Sequence, residues 1–355
     1  MKISIKNALK SLIPNRILKL YRKYLSCNSI YHVHKIYGNF YFPCYNLDSP
    51  LNSNCPNIYN QDGKKIELFF IRDVHSAHLV YSNSKYFQFD RYNFGLDTHF
   101  YTHNSMLETM GKPKRKYGML IEAEIICPDD YKIFLKNPGL ENNFNLIFTY
   151  SDKILEKIPN SRYVPYYIKP GYKHLNTIGS SENYNNKSKN ISIIASGKET
   201  VHLHKYRNSI ARQCKTSFLA DTYGTIDGGR YCDISEPFKD YRFSIVVENE
   251  ITPYGFTEKI TNCFAAMTIP VYLGATKINN IFNPDGIIQF KMTDDIEKIL
   301  KFCTKEYYKE RIPAILDNYN RININKSADD IMYEKYIQND IGKVSPEELL
   351  KLCIN

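Results

Sequence analysis

The sequence predicts an α/β protein of two halves. Three observations predict it. Buried-type strands alternate with helical segments along residues 64–166, a second alternating series starts near residue 190, and a stretch poor in apolar spacing separates the two. At 355 residues and 43% hydrophobic content, the chain is too long for one typical domain and can fill two ordinary cores. The expected division is a basic segment at 1–25, an N-terminal domain at 26–170, a linker at 171–190 and a C-terminal domain at 191–355.

The first 25 residues carry Lys2, Lys6, Lys10, Arg16, Lys19, Arg22 and Lys23 and no acidic residue. Ile5, Leu9, Leu12, Ile13, Ile17, Leu20, Tyr21 and Tyr24 recur at near-helical spacing opposite them, with a break or kink at Pro14. Such a segment can lie on an anionic membrane surface, or pack on the domain with its basic face in water. Residues 27–62 are irregular. Lys64–Ile71 reads as a buried strand, with short strands at Leu79–Tyr81 and Tyr86–Phe89. Tyr117–Ile121 is a buried strand that ends in Glu122, Ala123 and Glu124. A helix opens at Pro128 and runs to Leu135, and Asp129 and Asp130 in its first turn favour the helix dipole. A strand at Asn145–Tyr150, a helix from Ser151 and Asp152 to Ile158, and a short strand at Tyr163–Tyr166 complete the half.

The expected linker holds Pro170, Gly171 and Gly179 among Ser and Asn. Ile191–Ala195 is then a strand, 202–214 a helix, Phe218–Asp221 a possible strand, and Phe243–Val247 a central strand. Thr257–Ala266 is a helix, Ile269–Leu273 and Ile287–Phe290 are strands, and helices follow near 293–303, 306–318, 327–338 and 345–352. In an open α/β sheet, ligands bind beyond the carboxyl ends of the strands. That leaves function open until particular residues are considered.

The net charge of +10 does not mark a nucleic-acid binder, because much of the excess sits in the terminal segment. Nine cysteines are scattered singly without a CxxC pair, so a disulfide framework is not expected and a reducing cytosol fits best. No apolar run suits a secretory signal or a transmembrane helix. The expected location is cytoplasmic, with peripheral contact at the inner face of the cytoplasmic membrane through residues 1–25.

Glu248, Asn249 and Glu250 follow the strongest strand directly, where site residues are expected by position. The loop Pro253-Tyr254-Gly255 leads into Thr257-Glu258-Lys259 at a helix start. Thr257 can cap that helix, its first-turn amides can meet an anion, and Lys259 adds a mobile positive charge suited to a diphosphate. Glu258 could accept hydrogen bonds from sugar hydroxyls, or simply favour the helix dipole. The pairs His32/His34, His75/His78 and His202/His204 could each contribute to a metal site, but no third ligand follows from spacing. His75 and His78 could also line an acceptor site.

The stretch RFSIVVENEITPYGFTEKITNCFAAMTIPVYLGATKINNIFNPDGIIQF, residues 242–290, resembles the signature region of the alpha-1,3/1,4-fucosyltransferases (glycosyltransferase family 10). The features are a strand ending in Glu-Asn, a Thr-Glu-Lys-Ile whose Glu lies ten residues later, an Ala-rich helix, Ile-Pro-Val-Tyr-Leu-Gly, and Phe-Asn-Pro. The resemblance implies a GT-B fold of two Rossmann-like domains facing a central cleft. It implies inverting transfer of fucose from GDP-fucose to a glycan hydroxyl. Positive groups at Arg207 and Lys259 would offset the charge developing on the GDP leaving group, so no cofactor is required, though a divalent cation could still stimulate transfer. By this resemblance Glu248, Asn249, Glu258 and Lys259 contact the donor, and Arg207, within Lys205-Tyr206-Arg207-Asn208, contacts its diphosphate. The pattern has an aromatic residue where Gly255 stands, and the neighbouring Tyr254 could supply the ring. A related deoxysugar donor therefore stays open, as does a binding protein without turnover.

Inverting transfer needs a carboxylate to take the acceptor proton. By the resemblance that base sits at a strand end, which makes Glu122 the candidate and Glu124 its rival. The acceptor glycan, expected to belong to a surface polysaccharide or lipopolysaccharide, is not legible, and neither is the oligomeric state.

Overall fold

The computed structural model describes residues 58–59, 65–73, 84–90, 95–107, 109–166, 168, 184–322 and 327–354. The basic segment 1–25, the pairs His32/His34 and His75/His78, the expected strand Leu79–Tyr81 and the expected linker as far as residue 183 lie outside them. The chain divides into two compact units, Met1–Tyr101 with Glu108–Lys116, and Thr102–Leu107 with Tyr117–Asn355.

In the first unit β2 (Lys65–Arg72) is the centre. It pairs antiparallel with β1 (Ile58–Tyr59) and parallel with β3 (Phe87–Asp90) and β4 (Thr98–Thr102). Phe69, Phe87, Phe89 and Phe100 are buried together, with ring centroids 4.8 Å apart for Phe69–Phe87 and 5.1 Å for Phe89–Phe100.

The second unit holds two parallel sheets. One contains β5 (Arg115–Leu120), β6 (Leu146–Thr149) and β7 (Ser161–Tyr163), joined in the order β5-β6-β7. Short helices α1 (Pro128–Tyr131) and α2 (Ile133–Lys136) connect β5 to β6, and α3 (Asp152–Lys157) connects β6 to β7. The last strand ends at Tyr163, earlier than the apolar pattern suggests, because its register on β6 stops at Thr149↔Tyr163.

The second sheet has the order β12-β11-β10-β8-β9, all parallel. Its strands are β8 (Lys189–Ile194), β9 (Asp221–Tyr223), β10 (Tyr241–Val247), β11 (Ile269–Leu273) and β12 (Ile288–Gln289). Helix α4 (His202–Thr216) crosses from β8 to β9, and α5 (Glu258–Ala265) from β10 to β11. From the neighbours β8 and β10 the chain thus moves outward in opposite directions. A crevice opens at such a switch point, beyond the carboxyl ends of the strands. Two parallel sheets with crossover helices are the architecture expected of the GT-B class.

Alternate residues explain how this sheet is covered. Ile191, Ile193, Phe243, Ile245, Val247, Ile269, Val271 and Leu273 form one core with Leu203, Ile210 and Cys214 of α4 and with Ile296, Leu300, Tyr308 and Ile315. The other face contains a buried cation. Lys187, 4% exposed, donates to the carbonyls of Phe238 (2.9 Å), Lys239 (3.0 Å) and Ala266 (2.6 Å) and to Thr268 Oγ1 (3.1 Å). Burial pushes its amine down to about 7, against the opposing pull of Asp240. Lys187→Met leaves those buried carbonyls unpaired and should cost on the order of 3 kcal/mol in urea unfolding. Above pH 7 the unfolded chain holds this proton and the folded one releases it, so folding gains stability as pH rises. The loss caused by Lys187→Met should therefore grow from pH 7 to pH 9.5.

The C-terminal helices are more broken than the spacing suggests. The segment expected as one helix at 306–318 is α7 (Lys305–Glu310) and α8 (Ile312–Arg321), with Pro313 in the first turn of the second. The expected helix at 293–303 is α6 (Ile296–Leu300), capped by Asp295. The segment 327–338 is α9 (Ala328–Met332) followed by a π-turn at Tyr333–Gln338, and α10 (Pro346–Ile354) ends the described chain. The strand expected at Phe218–Asp221 shifts to β9. Phe218 instead has φ +54 and is 95% exposed, as the turn out of α4 requires. Among the described residues no helix is long and apolar enough to cross a membrane, and the six cysteines are free thiols.

Candidate active site

The ladder of β10 ends at Val247, and Glu248 N–H still donates to Leu273 O at 2.9 Å. This fixes Glu248 at the strand end, 2% exposed. Its Oε1 accepts from Thr257 N (2.9 Å), and its Oε2 accepts from Thr257 Oγ1 (2.7 Å) and Lys259 Nζ (3.2 Å). Thr257 in turn caps α5 through Lys259 N–H. The first amide expected to meet an anion is therefore already taken by Glu248, whose carboxylate instead holds Lys259 in place. Burial draws the Lys259 ammonium down, but Glu248 and Glu258 outweigh it and hold its pKa above the ordinary value. Nζ also donates to Thr257 Oγ1 at 2.9 Å.

Lys259 lines a cavity of about 200 Å³ with Arg207, Glu258, Asn262 and Ser196, walled by Ile194, Ile234 and Phe238. This is the switch-point crevice between β8 and β10. Arg207 reaches it from α4. It is 7% exposed, its Nη1 donates to Val247 O at 3.3 Å, and its Nε is buried without a hydrogen-bond partner. Burial lowers its pKa, with Glu248 and Glu258 opposing. A buried guanidinium so poorly satisfied is suited to an anionic ligand.

His204 precedes Arg207 by three residues and shares its helix face. Its Nε2 lies 3.0 Å from Asn249 Oδ1 and its Nδ1 3.0 Å from Thr200 Oγ1. Burial and then the charge of Arg207 lower its pKa. His202 and His204 thus form no metal pair. His204 orients Asn249, a role that spacing alone did not reveal.

Glu122 and Glu124 separate in function-relevant ways. Glu122 lines a small cavity, about 40 Å³, with Tyr150, Glu248, Asn249, Glu250, Gly255 and Thr257. Glu124 is instead tied to Lys153, with both carboxylate oxygens 3.2 Å from Nζ, and lines a broader opening of about 610 Å³ with Lys132, His202 and Asn249. The backbone of Glu122 is held from both sides: its N–H donates to His103 Nε2 (3.1 Å) and its C=O accepts from Tyr131 OH (2.6 Å).

Tyr254 is not brought to either cavity. Its hydroxyl donates to Glu347 on α10 at 2.6 Å and accepts from Lys277 at 3.0 Å. The ring beside Gly255 comes from Tyr150, at the end of β6. A Cβ built on Gly255 would stand 2.7 Å from two Tyr150 ring carbons and 2.6 Å from Thr252 Oγ1. Tyr150 also donates to Glu250 Oε1, and Glu250 Oε2 accepts from Ile125 N–H at 3.2 Å. Burial raises the Glu250 carboxyl above its usual range, against the Tyr150 bond. Gly255→Ala should cost about 1–3 kcal/mol through overpacking. Combined with Tyr150→Ala in an unfolding cycle, it should cost less than the sum by more than about 1 kcal/mol. Additive losses would contradict the contact.

Asp130 stands in the first turn of α1, as the sequence suggests. It is 5% exposed and its Oδ2 faces His103 Nδ1 at 3.4 Å, while Asp129 pairs with Lys136 at 3.0 Å.

Residues 184–310 match the family model described as glycosyltransferase family 10 (fucosyltransferase), C-terminal. This segment contains Arg207, Glu248, Asn249, Glu258 and Lys259 in the geometry just described. The likeness to glycosyltransferase family 10 is carried by residues 184–310. A protein of Acanthamoeba polyphaga mimivirus, carrying the provisional name fucosyltransferase R654, is 25% identical over 256 residues. The match covers 66% of this chain, and the chain spans 41% of that relative's length. Crystal structures of alpha1,3-fucosyltransferase are also similar. The one with GDP has a TM-score of 0.49 at 14% identity, covering 69% of this chain and 80% of that one. Another has a TM-score of 0.48 at 13% identity, covering 74% and 91%. The matched segment begins at residue 184, so the candidate base Glu122 lies outside it.

Proposed function

We propose that the protein is an inverting fucosyltransferase that moves L-fucose from GDP-fucose to a hydroxyl of a glycan. The observation that carries this reading is the coupling of two cavities. One presents Arg207 and Lys259 to a diphosphate, and the other sets Glu122 beside Glu248 and Asn249. The Lys259–Glu248 ion pair joins them. The apolar walls at Ile234 and Phe238 suit a flat base, and the name of the matching family supports fucose as the transferred sugar.

In this reading Glu122 takes the proton of the acceptor hydroxyl as its oxygen attacks the anomeric carbon. The bond from that carbon to the diphosphate breaks, and its electron pair leaves with GDP. Arg207 and Lys259 offset the charge that develops there. Asn249, oriented by His204, faces the sugar. The acceptor is proposed to be a surface polysaccharide or lipopolysaccharide glycan, with an alpha-1,3 or alpha-1,4 linkage formed. The test is a donor screen in which nucleotide release is measured with a pool of glycan acceptors. Acceptor-dependent GDP release from GDP-fucose is expected. Release from another nucleotide sugar alone would favour the second reading, a different deoxysugar donor, for which Gly255 in place of the family's aromatic residue is the ground.

A further inference from the structure

Beyond Leu120 the register of β5 on β6 has ended, and the next two backbone N–H groups leave the ladder. Both are taken by one imidazole. His103 Nε2 accepts from Ile121 N–H at 3.3 Å and from Glu122 N–H at 3.1 Å. The ring is 1% exposed, and its backbone has φ +51, a left-handed conformation rare for a residue that is not glycine. Such a conformation persists only where the surroundings over-determine it.

We infer that His103 is a positioning residue for Glu122, fixing the strand end from which the candidate base reaches the small cavity. The inference rests on the reading of Glu122 as the base. Two N–H donors converging on Nε2 leave no room for a proton there, so the ring proton sits on Nδ1 and faces Asp130 Oδ2 at 3.4 Å. Tyr131, the residue after Asp130, completes the hold by donating to the Glu122 carbonyl. Imidazole and phenol thus fix both backbone groups of one residue, and the Glu122 side chain is left to bond locally, its Oε1 accepting from Ala123 N–H at 3.0 Å.

The same cluster has another reading. His103, Cys127 and Asp130 offer ligand atoms within 4.8 Å of one another, a set that could suit zinc. The Nε2 contacts decide against it. A metal on Nδ1 would need the proton on Nε2, where the two amide donors already point.

The test compares His103→Gln with His103→Asn in the full chain. The carboxamide oxygen of Gln stands near the place of Nε2, whereas that of Asn stands nearer Nδ1, although Asn tolerates the left-handed backbone better. Steady-state transfer, GDP affinity and metal content are measured together. His103→Asn should lower kcat about 100-fold with GDP affinity and donor KM unchanged, and His103→Gln should recover most of it. Tyr131→Phe, which removes only the carbonyl contact, should lower kcat in the same direction with GDP affinity unchanged. The inference is overturned if His103→Asn and Tyr131→Phe both keep the parent kcat, if Gln gives no recovery over Asn, or if GDP affinity falls with kcat. Stoichiometric zinc in the parent that is lost in His103→Asn would also overturn it. Glu122→Gln separates this from the base reading. If that variant keeps full kcat, the base assignment fails. If it is inactive while the His103 variants are not, only the positioning role fails.

Discussion

Glu122→Gln should lower kcat for fucosyl transfer by about 10²–10⁴-fold while leaving GDP affinity unchanged. Gln keeps the shape and the bond to Ala123 N–H but cannot take a proton. GDP affinity should survive because Glu122 lines the small cavity and not the one that holds Arg207 and Lys259. Glu124→Gln is the contrast. It removes an ion pair in which Lys153 is 66% exposed, and such pairs contribute about 1 kcal/mol or less. Its kcat should stay within about threefold of the parent. Stopped or steady-state assays of the two variants side by side decide between the carboxylates, and the reverse ranking would move the base to Glu124.

Arg207→Met and Lys259→Ala should both weaken GDP binding, by about 10–100-fold each, since hydrogen bonds to charged groups contribute about 1.5–3 kcal/mol. Their effects on the unliganded fold should differ. Lys259 is held by Glu248, a carboxylate 2% exposed, and its removal leaves that buried charge without its cation. A loss of about 3–5 kcal/mol is the expected scale. Arg207 is a buried cation with one long bond to Val247 O and an Nε without a partner. An apolar side chain of similar length should leave the unliganded Tm equal or higher. Thermal unfolding with and without GDP measures both halves of this statement. A stabilised Arg207→Met that has lost GDP-induced stabilisation is the result that fits a site kept at some cost for its ligand. Full GDP affinity in both variants would remove their assigned roles.

The second sheet was legible in the sequence because its central strands are buried on both faces. FSIVV and IPVYL are uninterrupted apolar runs, and β10 and β11 follow them nearly residue for residue. The strand β4 was missed. THFYT mixes polar with aromatic residues without a regular alternation, so nothing in its composition says that all five positions are buried. Thr98 and His99 are buried by tertiary context, which propensity does not encode. His103 was missed for the same reason, as a lone histidine whose partners lie 18 and 19 residues further on.

The site residues divide similarly. Arg207, Glu248, Asn249, Glu258 and Lys259 stand close to strand or helix ends of one sheet, so local order brought them together. Tyr254 and Tyr150 exchanged places because the choice depends on a contact about a hundred residues apart, between the end of β6 and the loop before α5. The role of Glu248 also changed. The resemblance implied a donor contact for Glu248, and its burial and its bonds to Thr257 and Lys259 also make it the anchor of the cation.

The most direct test of the central claim is a titration of the full chain with GDP, UDP, ADP and CDP, repeated on Arg207→Met. The switch-point crevice with its Arg207–Lys259 pair should bind GDP most tightly, and the variant should lose that affinity. Equal affinity for all four diphosphates, or GDP binding untouched by Arg207→Met, would contradict the account.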